Sequence, residues 1–276
     1  MDFDLEQAVN RRYSVRTFSN ERVPADVRNK IDDCISLLSN PFGPSARFVL
    51  LDREAPKGGE KIGTYGIIKN ATLFLCGVIE DAPHAMEAYG YEFESLVLRL
   101  TAMGLGTCIL GGTFNKGEFA KALALKENEL FPCVSPVGYS AAKKSLVERV
   151  MRTGVKADSR LPWTDLFFSE TFAKPLSRAE AGPYAYAFDL LRLAPSAVNK
   201  QPWRVIKQGN AFHFYEQKSA DPEGKIDMQR IDLGIAMCHF AFACEDKALP
   251  GRFVTKDPGL PVPPHTFYIS SFVCED

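Results

Sequence analysis

Apolar positions recur along this chain at two spacings, and the alternation between them divides it into helices and strands. Residues 5–11 read as a short helix. Pro24, at a first-turn position, opens a second helix, with Val27, Ile31, Ile35 and Leu38 at three- and four-residue spacing on one face. Asn40-Pro41-Phe42-Gly43-Pro44 breaks the pattern as a turn, and residues 47–51 follow as a strand. Residues 71–79 are apolar but for Thr72 over a strand's length, as expected of a buried strand. Residues 87–103 predict a helix with Leu96, Leu100 and Met103 toward the core. It ends at Gly104, and residues 106–110 return as a strand. Asn115 is placed to cap a helix over 116–123, and 131–137 read as another strand.

The second half repeats this order. Ser177 caps a helix running to about residue 193, with Phe188, Leu190 and Leu191 on its inner side. A polar loop over 194–202 leads to strands at 203–207 and 211–216. An apolar helix over 232–246 and a last strand over 266–273 complete the pattern. The stretch 152–172 reads as a connector between halves assigned to 1–155 and 156–276. The repeat shows in element order and hardly in identities. It aligns Phe48-Val49-Leu50 with Val205-Ile206-Lys207 and sets residues 39–44 opposite the 194–202 loop.

Composition narrows the partners. The 276 residues are 46% hydrophobic and 24% charged, and 33 basic against 34 acidic side chains give a net charge of -1. No global field would recruit nucleic acid or an anionic membrane, so the Arg-rich start is a local feature, suited to one small anion rather than a polyanion. Acidic residues at Met1-Asp2-Phe3-Asp4-Leu5-Glu6 are unlike a secretory signal, and no apolar run reaches the ~20 residues of a spanning helix. Seven cysteines form no C-x-x-C pair and read as buried, reduced thiols of a cytoplasmic protein. The four scattered histidines offer no metal-ligand cluster.

Three segments could carry chemistry. Arg11-Arg12-Tyr13-Ser14-Val15-Arg16 follows a helix C-terminus, where the dipole disfavours an anion, so any phosphate there needs guanidinium and hydroxyl side chains. A solvated basic turn is the plainer reading of that run. Leu105-Gly106-Thr107-Cys108-Ile109-Leu110-Gly111-Gly112 brings a strand into a glycine pair, whose backbone could approach a ligand closely or form a simple turn. The loop Pro195-Ser196-x-x-Asn199-x-Gln201-Pro202-Trp203 offers polar groups held open by two prolines. Trp203 begins a strand, which favours core packing over contact with a ring. Neither a dinucleotide-binding G-x-G-x-x-G after a strand nor a P-loop lysine is present.

Taken together, Arg12-Tyr13-Ser14-Val15-Arg16-Thr17-Phe18, the Gly111-Gly112 segment, Pro136-Val137-Gly138-Tyr139, the Pro195–Trp203 loop and Asp232-Leu233-Gly234-Ile235-Ala236-Met237 resemble the nitroreductase-like FMN flavoproteins. The likeness is to the branch with two half-repeats in one chain. The resemblance implies an α+β fold: a central, mostly antiparallel sheet flanked by helices, with two pseudo-symmetric halves acting as an intramolecular pseudo-dimer. It implies FMN as cofactor and NADH or NADPH as co-substrate, the flavin itself carrying the chemistry without a catalytic side chain. It assigns the phosphate to Arg12 and Ser14, with Arg11, Arg16, Lys143 or Lys144 as helpers. The ring edge falls to Gly111 and Gly112, and closure over the ring to Pro195, Ser196 and Asn199. Tyr65, Tyr89 and Tyr91 are candidates to cover the ring. Residues 39–44 lack N-x-Q-P-W and the second half lacks an arginine pair before Ser177, so a single FMN in a monomer is expected. Three readings remain open: an NAD(P)H oxidoreductase for a small conjugated acceptor such as a nitroaromatic or quinone, a non-catalytic flavin-binding or flavin-sensing protein, and, less favoured, a chain that has lost flavin altogether.

Overall fold

The computed structural model describes residues 2–52, 66–143, 145–219, 221–222 and 224–275. In chain order its first half holds α1 (Leu5–Arg11), α2 (Ala25–Ser36), β1 (Arg47–Asp52), β2 (Leu73–Glu80), α3 (Ala85–Ala102) and β3 (Gly106–Thr107). Then follow α4 (Lys116–Ala122), β4 (Glu129–Leu130), β5 (Val134–Gly138) and α5 (Leu146–Gly154). The second half holds α6 (Trp163–Leu166), β6 (Phe167–Ser169), β7 (Thr171–Pro175), α7 (Arg178–Ala181) and α8 (Ala185–Arg192). It ends with β8 (Trp203–Gln208), β9 (Ala211–Gln217), α9 (Met228–Asp246), β10 (Gly251–Val254) and β11 (Thr266–Cys274).

The strands are antiparallel except for the β6–β8 pair, and they form two sheets, one in each half. The first sheet runs β1-β2-β5-β3; the second runs β10-β11-β9-β8 before adding β6 and β7. Read from the hairpin strand, β8-β9-β11-β10 repeats β1-β2-β5-β3 in both order and sense. The weak sequence repeat is therefore a strict repeat of topology. Strand β2 explains its own apolar run: Leu73, Leu75 and Ile79 enter the main core while Phe74, Cys76 and Val78 enter a smaller outer core with Phe119 and Phe131.

Helices α3 and α9 cross at the centre. A Cβ on Gly90 would lie 2.1 Å from the Ile231 carbonyl oxygen, and one on Gly234 would lie 2.1 Å from that of Glu87. Gly234 stands to Ile231 in α9 as Gly90 stands to Glu87 in α3, so the crossing has a local two-fold axis. Only glycine lets the two backbones approach this closely at both positions.

Several sequence expectations shift. The helix expected over 177–193 breaks into α7, a 3₁₀ turn at Gly182–Tyr184 and α8, because Gly182 takes φ 59° and Pro183 lacks an N–H. The connector expected over 152–172 carries α6, β6 and the start of β7. Strand pairing at 106–110 stops after Thr107, where the Cys108 N–H turns to the Ser135 hydroxyl at 2.9 Å, and resumes only as a bridge from Leu110 to Val134. Asn115 occupies the cap position of α4 without a side-chain cap bond.

Candidate functional site

Arg12 leaves the last turn of α1 in an extended conformation, φ -61° and ψ 126°. The chain then runs beside β3, with Ser14 bridging Thr107 and the Val15 N–H donating to the Thr107 carbonyl at 2.8 Å. In extended backbone alternate residues share a face. Val15 is buried in the core, and Arg12, Ser14 and Arg16 line a cavity of about 290 Å³ on the other side. Arg152 from α5 and Arg160 join them. The Nε atoms of Arg12, Arg16 and Arg160 are buried with no hydrogen-bond partner. Burial pushes the Arg12 guanidinium below its ordinary pKa against an opposing pull from Glu94, and burial, with Arg12 nearby, does the same to Arg160. Half-buried cations clustered with unused Nε donors are costly unless an anion completes them.

Arg152 is paired with Asp158 and lies 5.6 Å above the Tyr13 ring. Arg160 donates to the carbonyls of Ala157 at 3.0 Å, Ser159 at 2.7 Å and Leu193 at 3.1 Å, which ties the 156–160 segment to the loop after α8.

A second chamber of about 220 Å³ adjoins the first and shares Arg12, Ser14, Arg16, Pro195 and Ser196 with it. Its walls come from the 107–113 segment, from Val97 of α3, and from Met228, Asp232 and Ile235 of α9. Residues from both halves therefore close one space. Cys108 is among them as a buried thiol whose pKa burial raises, an uncharged and small wall group. A Cβ on Gly112 would meet nothing within 4 Å, so the turn presents bare backbone to the chamber.

The 194–202 loop is strained and heavily anchored. Val198, Asn199 and Gln201 take φ of 45°, 58° and 50°, a left-handed region that costs ordinary residues about 1 kcal/mol or more each. Hydrogen bonds hold it there. The Ala197 N–H donates to both Asp232 oxygens at 3.1 and 3.0 Å, and the Gln201 N–H donates to the Ser196 hydroxyl at 2.8 Å. The Asn199 amide donates to the carbonyls of Lys156 at 2.8 Å and Ser159 at 3.1 Å, while the Gln201 side-chain Oε1 accepts from Leu161 N–H at 2.9 Å. Asp232 is buried, which pushes its carboxyl well above the usual acid range.

Eight of the nine expected site residues thus gather around two adjoining cavities: Arg12, Ser14, Arg16, Gly111, Gly112, Pro195, Ser196 and Asn199. Arg11 does not join them; it is exposed at the end of α1 and lines neither. Lys143 is exposed and lines neither cavity, and Lys144 and Tyr65 lie outside the described residues. Asn199 lines the first cavity with its amide already committed to the loop's own anchoring. Tyr89 is buried against Phe48 and Phe93 with its hydroxyl on the Cys133 carbonyl at 2.8 Å, away from the chamber. Trp203 is fully buried in the core. Sequence reading missed Asp232, Arg152 and Arg160. Asp232 stood inside a quoted motif, but nothing local marks the other two.

The two-fold axis relates this site to a second location, and there the space is filled. The helix correspondence that matches Gly234 with Gly90 matches Met228 with His84 and Ile235 with Tyr91. Phe42, from the first-half loop, packs against His84 at 6.4 Å between ring centroids, Tyr91 at 6.1 Å and Phe253 of β10 at 5.8 Å. Glu92 pins that loop, accepting from Asn40, Ser45 and the Ala46 N–H, much as Asp232 pins the 194–202 loop. Tyr91 therefore serves the packing of the filled location, not the open chamber.

Among the described residues no helix is long and apolar enough to cross a membrane, and no group of three or more His, Cys, Asp or Glu could hold a metal ion. The family model described as "Putative TM nitroreductase" matches residues 4–244. No curated protein matches the chain. Among solved structures, a "putative nitroreductase" from Thermotoga maritima is 19% identical with a TM-score of 0.62, over 99% of this chain and 94% of that one. A nitroreductase with bound FMN from Bacteroides fragilis is 18% identical with a TM-score of 0.42, over 52% of this chain and 91% of its own.

Proposed function

The chain belongs to this nitroreductase family, and from that premise we propose that it is an FMN-dependent oxidoreductase passing a hydride or electrons from NAD(P)H to a small conjugated acceptor. The observation that carries the reading is the set of buried, unpartnered guanidinium nitrogens of Arg12, Arg16 and Arg160 beside a chamber walled by both halves. A phosphate monoester supplies what those donors lack, and a flat ring system suits the adjoining chamber.

In this reading Arg12, Ser14, Arg16 and Arg160 hold the phosphate by side-chain donors, since the end of α1 offers no favourable dipole. The Gly111-Gly112 backbone borders the ring's reactive edge, and Pro195 and Ser196 close over it from the other half. Asn199 and Asp232 keep that closing loop in its strained form. FMN, when bound, supplies the two-electron chemistry, and the chain's residues set its position and the access to it. The halves 1–155 and 156–276 act as fused partners, so a monomer, taken as cytoplasmic, completes one site and needs no second copy.

Purification tests this directly. The expected result is a yellow protein with one FMN per chain at monomer mass by light scattering, which oxidises NADH or NADPH when a nitroaromatic or quinone is supplied. A colourless protein that binds no added FMN overturns the cofactor assignment. Tight FMN with no turnover of either nucleotide leaves a flavin-binding protein without catalysis.

A further inference from the structure

The ring chamber has an antechamber. A third cavity of about 230 Å³ shares Gly111, Gly112, Ala197, Val198 and Met228 with it, so the two spaces meet across the glycine turn. A molecule approaching the reactive edge of a bound ring would lie here. Pro222, Ile226, Met228 and Val198 give the antechamber apolar surface suited to a flat body, and Val198 is 65% exposed.

The charges at its edge are unequal in their commitments. Asp227 is occupied: its carboxylate caps α9 through the N–H groups of Gln229 at 3.0 Å and Arg230 at 3.3 Å, and meets Lys218 at 3.2 Å. Asp221 is exposed to solvent. Lys116, half-buried at the start of α4, and Lys200, exposed just after the closing loop's 3₁₀ turn, form no ion pair among the described residues. They come from opposite halves and line the same cavity. A chain of net charge -1 has no general excess of cations, so two uncommitted lysines beside this opening are a local feature.

We propose that the antechamber takes a planar conjugated molecule carrying an anionic group, with Lys116 and Lys200 binding the anion while the conjugated part reaches the glycine turn. This rests on the flavin reading for the identity of the chamber behind it. The anion could be a carboxylate or sulfonate on the electron acceptor or the diphosphate of the nicotinamide donor, and these are separable by experiment.

The purified holoprotein would be titrated at low salt with 4-nitrobenzoate and with its neutral isostere 4-nitrobenzamide, following both the flavin absorbance and the melting temperature. The melting shift reads binding even if no flavin is present, so failure of the cofactor assignment would be visible separately. The expected result is 4-nitrobenzoate binding about fivefold more tightly, the scale of one or two partly exposed ion pairs, with the difference lost in Lys116→Gln/Lys200→Gln and in high salt. Binding of the amide should stay within about twofold in the double variant. A parallel titration with NADH assigns the source: a weakened nucleotide with an unchanged benzoate preference moves the anion to the donor. Equal affinities for acid and amide in the native protein, together with unchanged NADH binding in the double variant, overturn the proposal.

Discussion

Asp232 is the most informative residue to change, because both of its carboxyl oxygens accept from the Ala197 N–H within a strained loop. Asp232→Ala would leave that N–H without a partner, a penalty of about 1–3 kcal/mol. The loop already holds Val198, Asn199 and Gln201 at positive φ, so it would relax once the anchor is gone. Ligand binding would then have to rebuild it, and the same free energy would appear as an FMN affinity weaker by roughly 5- to 150-fold. Asp232→Asn keeps an acceptor for Ala197 and should stay within a few-fold of native. The substitution also carries a pH signature. A buried carboxyl with a raised pKa favours its protonated form in the folded state, so its stabilising effect is full below the ordinary Asp range near 3.9 and is lost as pH rises through the folded value. Asparagine should flatten that part of the stability profile. Flavin fluorescence titrations of both variants, with melting curves across pH 4–8, would measure these effects. An Asp232→Ala protein with native FMN affinity, or an asparagine variant as damaged as the alanine one, would refute the anchoring argument.

Arg12→Ala should weaken FMN by about 1.5–3 kcal/mol while leaving riboflavin, which has no phosphate, unchanged; equal losses for both ligands would remove the phosphate assignment. Gly234→Ala should cost about 3 kcal/mol or prevent folding, since its Cβ would meet backbone of α3 that cannot rotate away, and a melting temperature within about 2 °C of native would contradict the close crossing. Trp203→Ala should cost about 3–5 kcal/mol of stability with flavin affinity intact, whereas lost affinity in a still-stable protein would make the indole a ring contact.

What the sequence disclosed follows from the range of the forces involved. Short-period signals fixed the long buried elements: α3 and α9 appear within a few residues of the apolar runs that predict them, and so do β2, β8 and β9. The R-x-S-x-R run was legible because an extended backbone sorts alternate side chains without help from the rest of the fold. Strands β6 and β10 were not read, since three or four residues carry no period and β6 depends on a parallel partner at Val205–Lys207. Gly182-Pro183 was a visible break that the apolar spacing of the surrounding helix masked. Arg160 was beyond reach for another reason: its position beside Arg12 exists only once residues 156–160 fold back onto the end of α8. The expected role of Tyr91 failed because the sequence shows that a loop lacks ligands but does not show that its own phenylalanine fills the space.

The two-fold crossing has a consequence for how this chain can change. In an assembly of two identical subunits, every substitution appears in both copies of a site, so a residue that improves packing in one also obstructs the other. Two unequal halves within one polypeptide are free of that coupling. Phe42, Tyr91 and Phe253 can close one location with aromatic packing while Ile235 and Met228 leave its counterpart open. In the proposed monomer each half is free to vary alone, and completion of the site does not depend on how dilute the protein becomes.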